Sequence, residues 1–343
     1  MVFLLSLLAG PAVAGAGDPE AGTPSWAERE LHVWSNAARI APQAFPKDAA
    51  DGGCTATAWA STPPAQPLRF HAGLSRVARQ HSADLAAADA PLSHDSTDGT
   101  SMVERIQPVY GTGKAFGENL AFGYETARRA VLSGWMCSDG HRHNLLNGAY
   151  DEVGFGVVGA YMTQDLGDGG GGPDVINMAT HFPETPTDDV SITTDVWLPT
   201  GRTPDEVVAV VDGDVVPLHL LVGADGQGIY QGSTTTGPGC TPWFVELTYG
   251  NQVVRWPETG SYAWGPCAFD DPGAGWLDLQ VERGEGPFDP DAEWSTSGTD
   301  DTDAGEVEDR YPFTNLCATS PTSASALLVL LGILGVRRRR SVA

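Results

Sequence analysis

The sequence predicts an α+β domain followed by a small all-β domain. Three observations carry this: helical periodicity recurs three times before residue 137, antiparallel strand patterns come next, and beyond about residue 188 only short strands and turns remain. A length of 343 residues agrees with two domains plus further segments at the ends. With 44 acidic residues against 19 Lys and Arg, the formal charge of −25 repels phosphate backbones and excludes a nucleic-acid partner. Hydrophobic residues at 41% suffice for ordinary cores and are too few for a multi-span membrane protein.

The elements follow in order. Ser25-x-x-Glu28 is a capping box that opens a first helix, with Leu31, Val33, Trp34, Ala37 and Ala38 as its inner face. A second helix is expected from Leu74 to Ala88, where Leu74, Val77, Ala78, His81 and Leu85 stand at helical spacing. A third runs from Thr126 to Met136, with Ala127, Val131 and Trp135 on one side. Strand patterns follow over 153–163 and 175–182, and the acidic, glycine-rich stretch 165–174 reads as a flexible loop between them. Its Asp165, Asp168 and Asp174 lack the order and the bidentate Glu of a calcium loop. In the second domain, strands over 207–211 and 215–222 flank Asp212-Gly213-Asp214, and strands over 244–249 and 252–256 flank Gly250-Asn251, two hairpin signals. Turn signals about every ten residues point to an immunoglobulin-like or fibronectin-like sandwich. No site chemistry is visible there, which makes it a spacer or an adhesive module.

Both ends read as addresses. Residues 2–13 form an apolar run ending in Ala12-Val13-Ala14, a small-x-small cleavage pattern, so residues 1–16 are expected to be a secretory signal peptide. At the other end, 324–336 is an apolar stretch of 13 residues followed by four arginines, Arg337 to Arg340. That is short of the ~20 residues a helix needs to cross a bilayer, and the arginines would hold that flank cytoplasmic. With Cys317 and its Pro/Ser/Thr spacer just upstream, the segment 317–343 resembles the MYXO-CTERM sorting signals of exported bacterial proteins. The alternative is a plain, slightly short membrane anchor. Residues 285–316 carry acidic charge with few aliphatic side chains and read as a disordered spacer. The domains between are expected over 25–185 and 188–283. Export makes the cysteines structural. Cys54 with Cys137 and Cys240 with Cys267 are the expected pairs, leaving Cys317 as a processing or lipidation site.

A series of short motifs runs through the first domain. Residues 30–42 read Glu-Leu-His-Val-Trp-Ser-Asn-Ala-Ala-Arg-Ile-Ala-Pro, followed by the helix of residues 74–85 and then Leu92-Ser93-His94. Phe116-Gly117-Glu118-Asn119-Leu120-Ala121 comes next, then Gly134-Trp135-Met136-Cys137-Ser138-Asp139-Gly140-His141, and Val153-Gly154-Phe155-Gly156 closes the series. In this order they resemble the CAP domain, the SCP/PR-1-like family, of the bacterial type. The resemblance covers somewhat under half of the chain and implies a CAP-type α-β-α sandwich with a cleft. In eukaryotic members that cleft is lined by two His and two Glu, and the His pair can hold a divalent metal. Carried over by motif, the cleft residues are His94, Glu118 and His141, while the second Glu position falls on Ser138. The resemblance therefore implies a triad, with His94 and His141 as ligands for Zn2+ or another divalent cation.

Each residue also has a plainer role available. Glu118 can orient backbone amides at a turn, His94 can cap the helix ending near Pro91, and Asn119 can bond loop backbone. His81 and His181 read as satisfied core histidines, and His143 as solvated. Three functions follow as expectations. The first is an exported, surface-displayed module whose cleft binds a small extracellular ligand, lipid or peptide, attached to the cell envelope through the C-terminal segment. The second is a secreted metal-dependent hydrolase with Glu118 as general base. The third is a structural or adhesive surface protein with a vestigial cleft.

Overall fold

The computed structural model of the chain describes residues 24–55, 59, 62–111, 113–237, 239–257 and 261–265. The expected signal peptide, acidic spacer and sorting segment lie outside the described residues, as do Cys267 and Cys317.

The capping box forms as expected. Ser25 Oγ accepts the Glu28 amide and the Glu28 carboxylate accepts the Ser25 amide, which starts α1 (Trp26–Ile40). The first domain continues through α2 (Pro46–Asp51), β1 (Arg69–Phe70), α3 (Ala72–Ala87), α4 (Met102–Tyr110) and β2 (Phe116–Phe122). Then come α5 (Ala127–Arg129), which runs on through a π turn and a 3-10 turn to Cys137, α6 (Asp139–Leu145), β3 (Glu152–Val158) and β4 (Tyr161–Gly167). The four strands make one sheet in the order β1-β3-β4-β2, antiparallel apart from the β1–β3 pair. Two glycines explain how α3 lies on it. A Cβ at Gly154 would overlap the Ser75 amide, and one at Gly156 the Ala78–Arg79 backbone. Backbone therefore meets backbone, and Ser75 Oγ and Ser82 Oγ donate to the carbonyls of Phe155 and Gly156 at 2.6 and 2.9 Å. The Val153-Gly154-Phe155-Gly156 motif is a packing device.

Two expectations about this domain are corrected. Helix α4, with its own capping box of Ser101 and Glu104, was not anticipated. The expected strand over 153–163 is instead a hairpin that turns at Gly159-Ala160, so Asp165 lies inside β4 and not in a loop.

The second domain has two sheets, as expected of a sandwich. One has the order β5-β6-β10-β9, made from Ala179–Phe182, Asp189–Trp197, Gln227–Thr235 and His219–Ala224. The other has the order β12-β11-β7-β8, from Gln252–Trp256, Thr241–Tyr249, Glu206–Val211 and Asp214–Pro217, with β13 (Tyr262–Trp264) also on β11. The Asp212-Gly213 turn has positive φ at both residues, 48° and 90°, as a two-residue hairpin turn of the primed type demands. The single strand expected over 215–222 is two strands, one in each sheet, and the chain crosses between the sheets at buried Leu218. Strand β5 falls within the range expected for the first domain but pairs with β6 and belongs to the second.

The two domains share α1. Thirteen of its 15 residues are buried, so it has no solvent face. Leu31, Trp34, Ala37 and Ala38 join the core of the first domain with Trp59, Trp135 and Phe155. On the other side Val33 joins the sandwich core with Ile192, Val196 and Trp243. Polar contacts reinforce this side. Trp26 Nε1 donates to the His181 carbonyl at 2.6 Å, Asn36 Nδ2 donates to Asp195 at 2.5 Å, and the Arg29 guanidinium stacks on Tyr262 at 4.4 Å. Burial pushes the Asp195 carboxyl up to about 6, opposed by hydrogen bonds from Asn177 and Asn36. A module built onto a buried helix in this way is not a spacer on a linker.

Cys54 and Cys137 are bonded, joining the loop after α2 to the turn before α6 across a sequence separation of 83. Cys240 is also disulfide-bonded. Replacing Cys54 and Cys137 by Ser is expected to cost about 4 kcal/mol through the freed loop entropy of the unfolded chain. Urea unfolding of the double variant checks this, and a loss below about 1 kcal/mol would refute it.

Candidate functional site

The site forms on the face of the first sheet that α3 and α4 cover. Glu118 on β2 and Asp165 on β4 are direct cross-strand partners, and both are completely buried. His94 follows α3 on a loop, and His81 on α3 holds that loop by pairing Nε2 with the Ser93 carbonyl at 2.9 Å. His94 Nδ1 meets Glu118 Oε1 at 2.7 Å. Arg105 on α4 donates from Nη2 to Glu118 Oε2 at 2.7 Å and from Nη1 to the His94 carbonyl at 2.8 Å. The same Nη1 reaches Ser96 Oγ and the Thr100 carbonyl at 3.2 Å each. One guanidinium thus locks both the carboxylate and the loop that carries the imidazole.

The electrostatics follow from burial. Desolvation pushes the Glu118 carboxyl up, but the His94 hydrogen bond and the Arg105 charge outweigh it and leave Glu118 below its ordinary value. Asp165 has no such help. Desolvation and then the Glu118 charge drive its carboxyl well above the ordinary range, with Arg105 opposing. Burial lowers the His81 value; it is a buried histidine as expected, with Nε2 bonded and Nδ1 meeting no partner among the described residues. Because the ionised Glu118 only accepts, the hydrogen of this bond sits on His94 Nδ1. His94 Nε2 is buried and meets no donor or acceptor among the described residues.

His141 is placed along the outer edge of β2. Helix α6 is tied there by Asn144 Nδ2, which donates to the Glu118 carbonyl and to Asn119 Oδ1 at 3.2 and 3.1 Å. Asn119 Nδ2 in turn donates to the His141 carbonyl at 3.2 Å and to Gln164 at 2.8 Å. His141 is itself buried, 4% exposed, while His143 is exposed. Ser138 stands at the N-cap of α6 without capping it through its side chain. Arg39 of α1 holds the far end of α6 and the following loop, donating to the carbonyls of Leu145, Asn147 and Tyr150 at 2.8 to 2.9 Å.

Sequence residues 36–166 match the sequence model of CAP, the cysteine-rich secretory protein family. This part of the chain has a CAP-type fold. Two curated relatives match over similar stretches. The uncharacterized membrane protein YlbC of Bacillus subtilis is 36% identical over 99 residues, 29% of this chain and 28% of that protein. The uncharacterized protein YkwD of the same organism is 34% identical over 103 residues, 29% of this chain and 39% of that protein. The chain therefore spans under half the length of these relatives. Among solved structures, an extracellular protein containing an SCP domain from Bacillus anthracis aligns with a TM-score of 0.28 at 28% identity, over 37% of this chain and 39% of the other. The sandwich lies outside the matched stretch.

The motif-derived positions His94 and Glu118 are thus in direct contact, while His141 neighbours them across the backbone of β2. Neither plainer reading of the first two describes the geometry. Glu118 binds an imidazole and a guanidinium instead of turn amides, and His94 turns toward Glu118 and away from the helix end. Arg105 and Asp165 were missed. The capping box of α4 is the signal that would have placed Arg105 on a helix facing the sheet.

Proposed function

We propose that this chain is an exported protein whose CAP domain is a binding module, with the His94 imidazole as the polar contact for a small extracellular ligand. The observation that carries this reading is the His94 ring, oriented by Glu118 through Nδ1 and left with a buried ring nitrogen, Nε2, that no described residue partners. A hydroxyl brought to that atom would satisfy it, since a hydroxyl can both donate and accept. Export is supported by the apolar segment at residues 2–13 and by the Cys54–Cys137 disulfide. Display at the envelope rests on the segment at 317–343.

The hydrolase reading has less support. Among the described residues no hydroxyl or thiol stands within hydrogen-bond reach of His94 Nε2, so none of them is a nucleophile poised there. Glu118 has both oxygens committed and is not poised to take a proton from water. A divalent cation at Nε2 would have Glu118 as its outer carboxylate, a familiar arrangement. Yet among the described residues no three His, Cys, Asp or Glu side chains converge to hold an ion, and Arg105 already neutralises Glu118. The donors do not fit a resident metal, and no step is derived through one.

The test is histidine-detected NMR on the secreted protein, with hydroxyl-bearing probes (short-chain alcohols, fatty acids and a sterol), alongside metal content by mass spectrometry. A probe that shifts the His94 Nε2 resonance, without stoichiometric metal, is the expected result. Stoichiometric zinc lost in His94→Ala/His141→Ala, or no probe reaching Nε2, overturns the proposal.

A further inference from the structure

The buried face of the sheet holds one group the binding reading does not use. Asp165 has no exposed surface, and it stands directly opposite Glu118 across the β2–β4 pair, where side chains on one face come together. Neither oxygen of Asp165 meets an N–H or O–H donor among the described residues. Both Glu118 oxygens already accept, one from His94 and one from Arg105. Two buried carboxyl groups facing each other across a strand pair, with no donor for the second, are relieved by a proton between them.

We propose that Asp165 is kept as a neutral carboxylic acid whose O–H donates to Glu118, which makes it the residue that positions the Glu118–His94–Arg105 array. This deepens the binding reading, since it concerns the group that orients His94. The charged and titratable groups facing the pair come from every covering element. Arg105 comes from α4, His81 from α3, His94 from the loop between them, and Glu118 from β2. Of these, Arg105 supplies one positive charge and Glu118 takes it up. A second buried carboxylate would have no counter-charge, and an unpaired buried charge is far costlier than a protonated acid. Burial and the Glu118 charge push the Asp165 carboxyl in the same direction. With its proton in place, Asp165 gives Glu118 a third donor and holds the carboxylate against swinging away from His94.

The test needs no ligand, so it can fail independently of the binding reading. Infrared spectra of the whole secreted protein at pH 8 would be compared with and without 13C at the aspartate carboxyls. That pH clears Asp195, the other strongly buried aspartate, whose value of about 6 leaves it ionised. A protonated-carboxyl stretch that moves on aspartate labelling and disappears in Asp165→Asn is expected. Absence of that band in the labelled wild type, or its persistence in Asp165→Asn, overturns the proposal. Should Asp165→Asn not fold, the labelled wild-type spectrum decides alone. The positioning role is read from the His94 nitrogen resonances. Asp165→Asn, which keeps a donor, should retain the Nδ1–H signature, and Asp165→Leu should lose it. Equal behaviour of the two variants refutes the role.

Discussion

Ending the chain after Glu184 is expected to abolish cooperative folding of the first domain, although every residue matched by the family model would remain. The reason lies in α1. Its charged and polar residues Arg29, Glu30, His32 and Asn36 are buried, each 3% exposed or less. The second domain supplies essential cover for several of them. Arg29 would lose the Tyr262 ring, Asn36 its bond to Asp195, and Val33 its place against Ile192 and Val196. Strand β5 would lose β6, its pairing partner. The loss is comparable with the whole folding free energy of an ordinary domain, ~5–15 kcal/mol. Thermal unfolding of residues 17–184 against residues 17–284, with amide NMR dispersion, decides it. A sharp transition in the short chain within about 5 °C of the longer one would show that the domains are independent.

That dependence was hidden in the sequence for a physical reason. Periodicity assigns apolar positions of α1 to a core and charged positions to water, and Leu31, Trp34 and Ala38 obey that rule. Arg29 and Arg39 break it because tertiary partners, the Tyr262 ring and the carbonyls of Leu145, Asn147 and Tyr150, make their burial tolerable, and such partners carry no local signature. Signals that depend on local backbone chemistry were legible: the Ser25–Glu28 box, the Asp212-Gly213 turn and the Gly250-Asn251 turn all stand where expected. The candidate site divides the same way. His94 and Glu118 were identified through motifs and do meet. Asp165 sits beside Gly167, Asp168 and four further glycines, a context that reads as a loop. Only its pairing opposite Glu118 shows that it is a buried strand residue. Charge at a buried position is visible in sequence only when a motif announces it.

Arg105→Met should be the most destabilising single change in the candidate site, and its cost should depend on pH. The substitution keeps an apolar stem on α4 and removes the charge paired with Glu118, along with the donors that hold the His94 loop at the carbonyls of His94 and Thr100. Breaking a buried pair by removing one partner costs about 3–5 kcal/mol. In the wild type the Glu118 value is lowered in the folded state, so its contribution is present above the unfolded value and fades as pH falls through the folded one. Without Arg105 the folded value moves up, because one of the two main effects opposing burial is lost while the His94 hydrogen bond remains. The support that ionised Glu118 gives above the unfolded value is then smaller in the variant. The stability gap between the two proteins should therefore be widest near pH 7 and shrink steadily toward pH 4.5, where the buried carboxyl pair takes up a second proton. Urea unfolding of both proteins across that range measures it, with Arg105→Lys as an intermediate that restores charge without the two-pronged geometry. A gap of the same size at every pH would mean that Arg105 acts by filling space, and that the charge balance drawn here for Glu118 is incorrect.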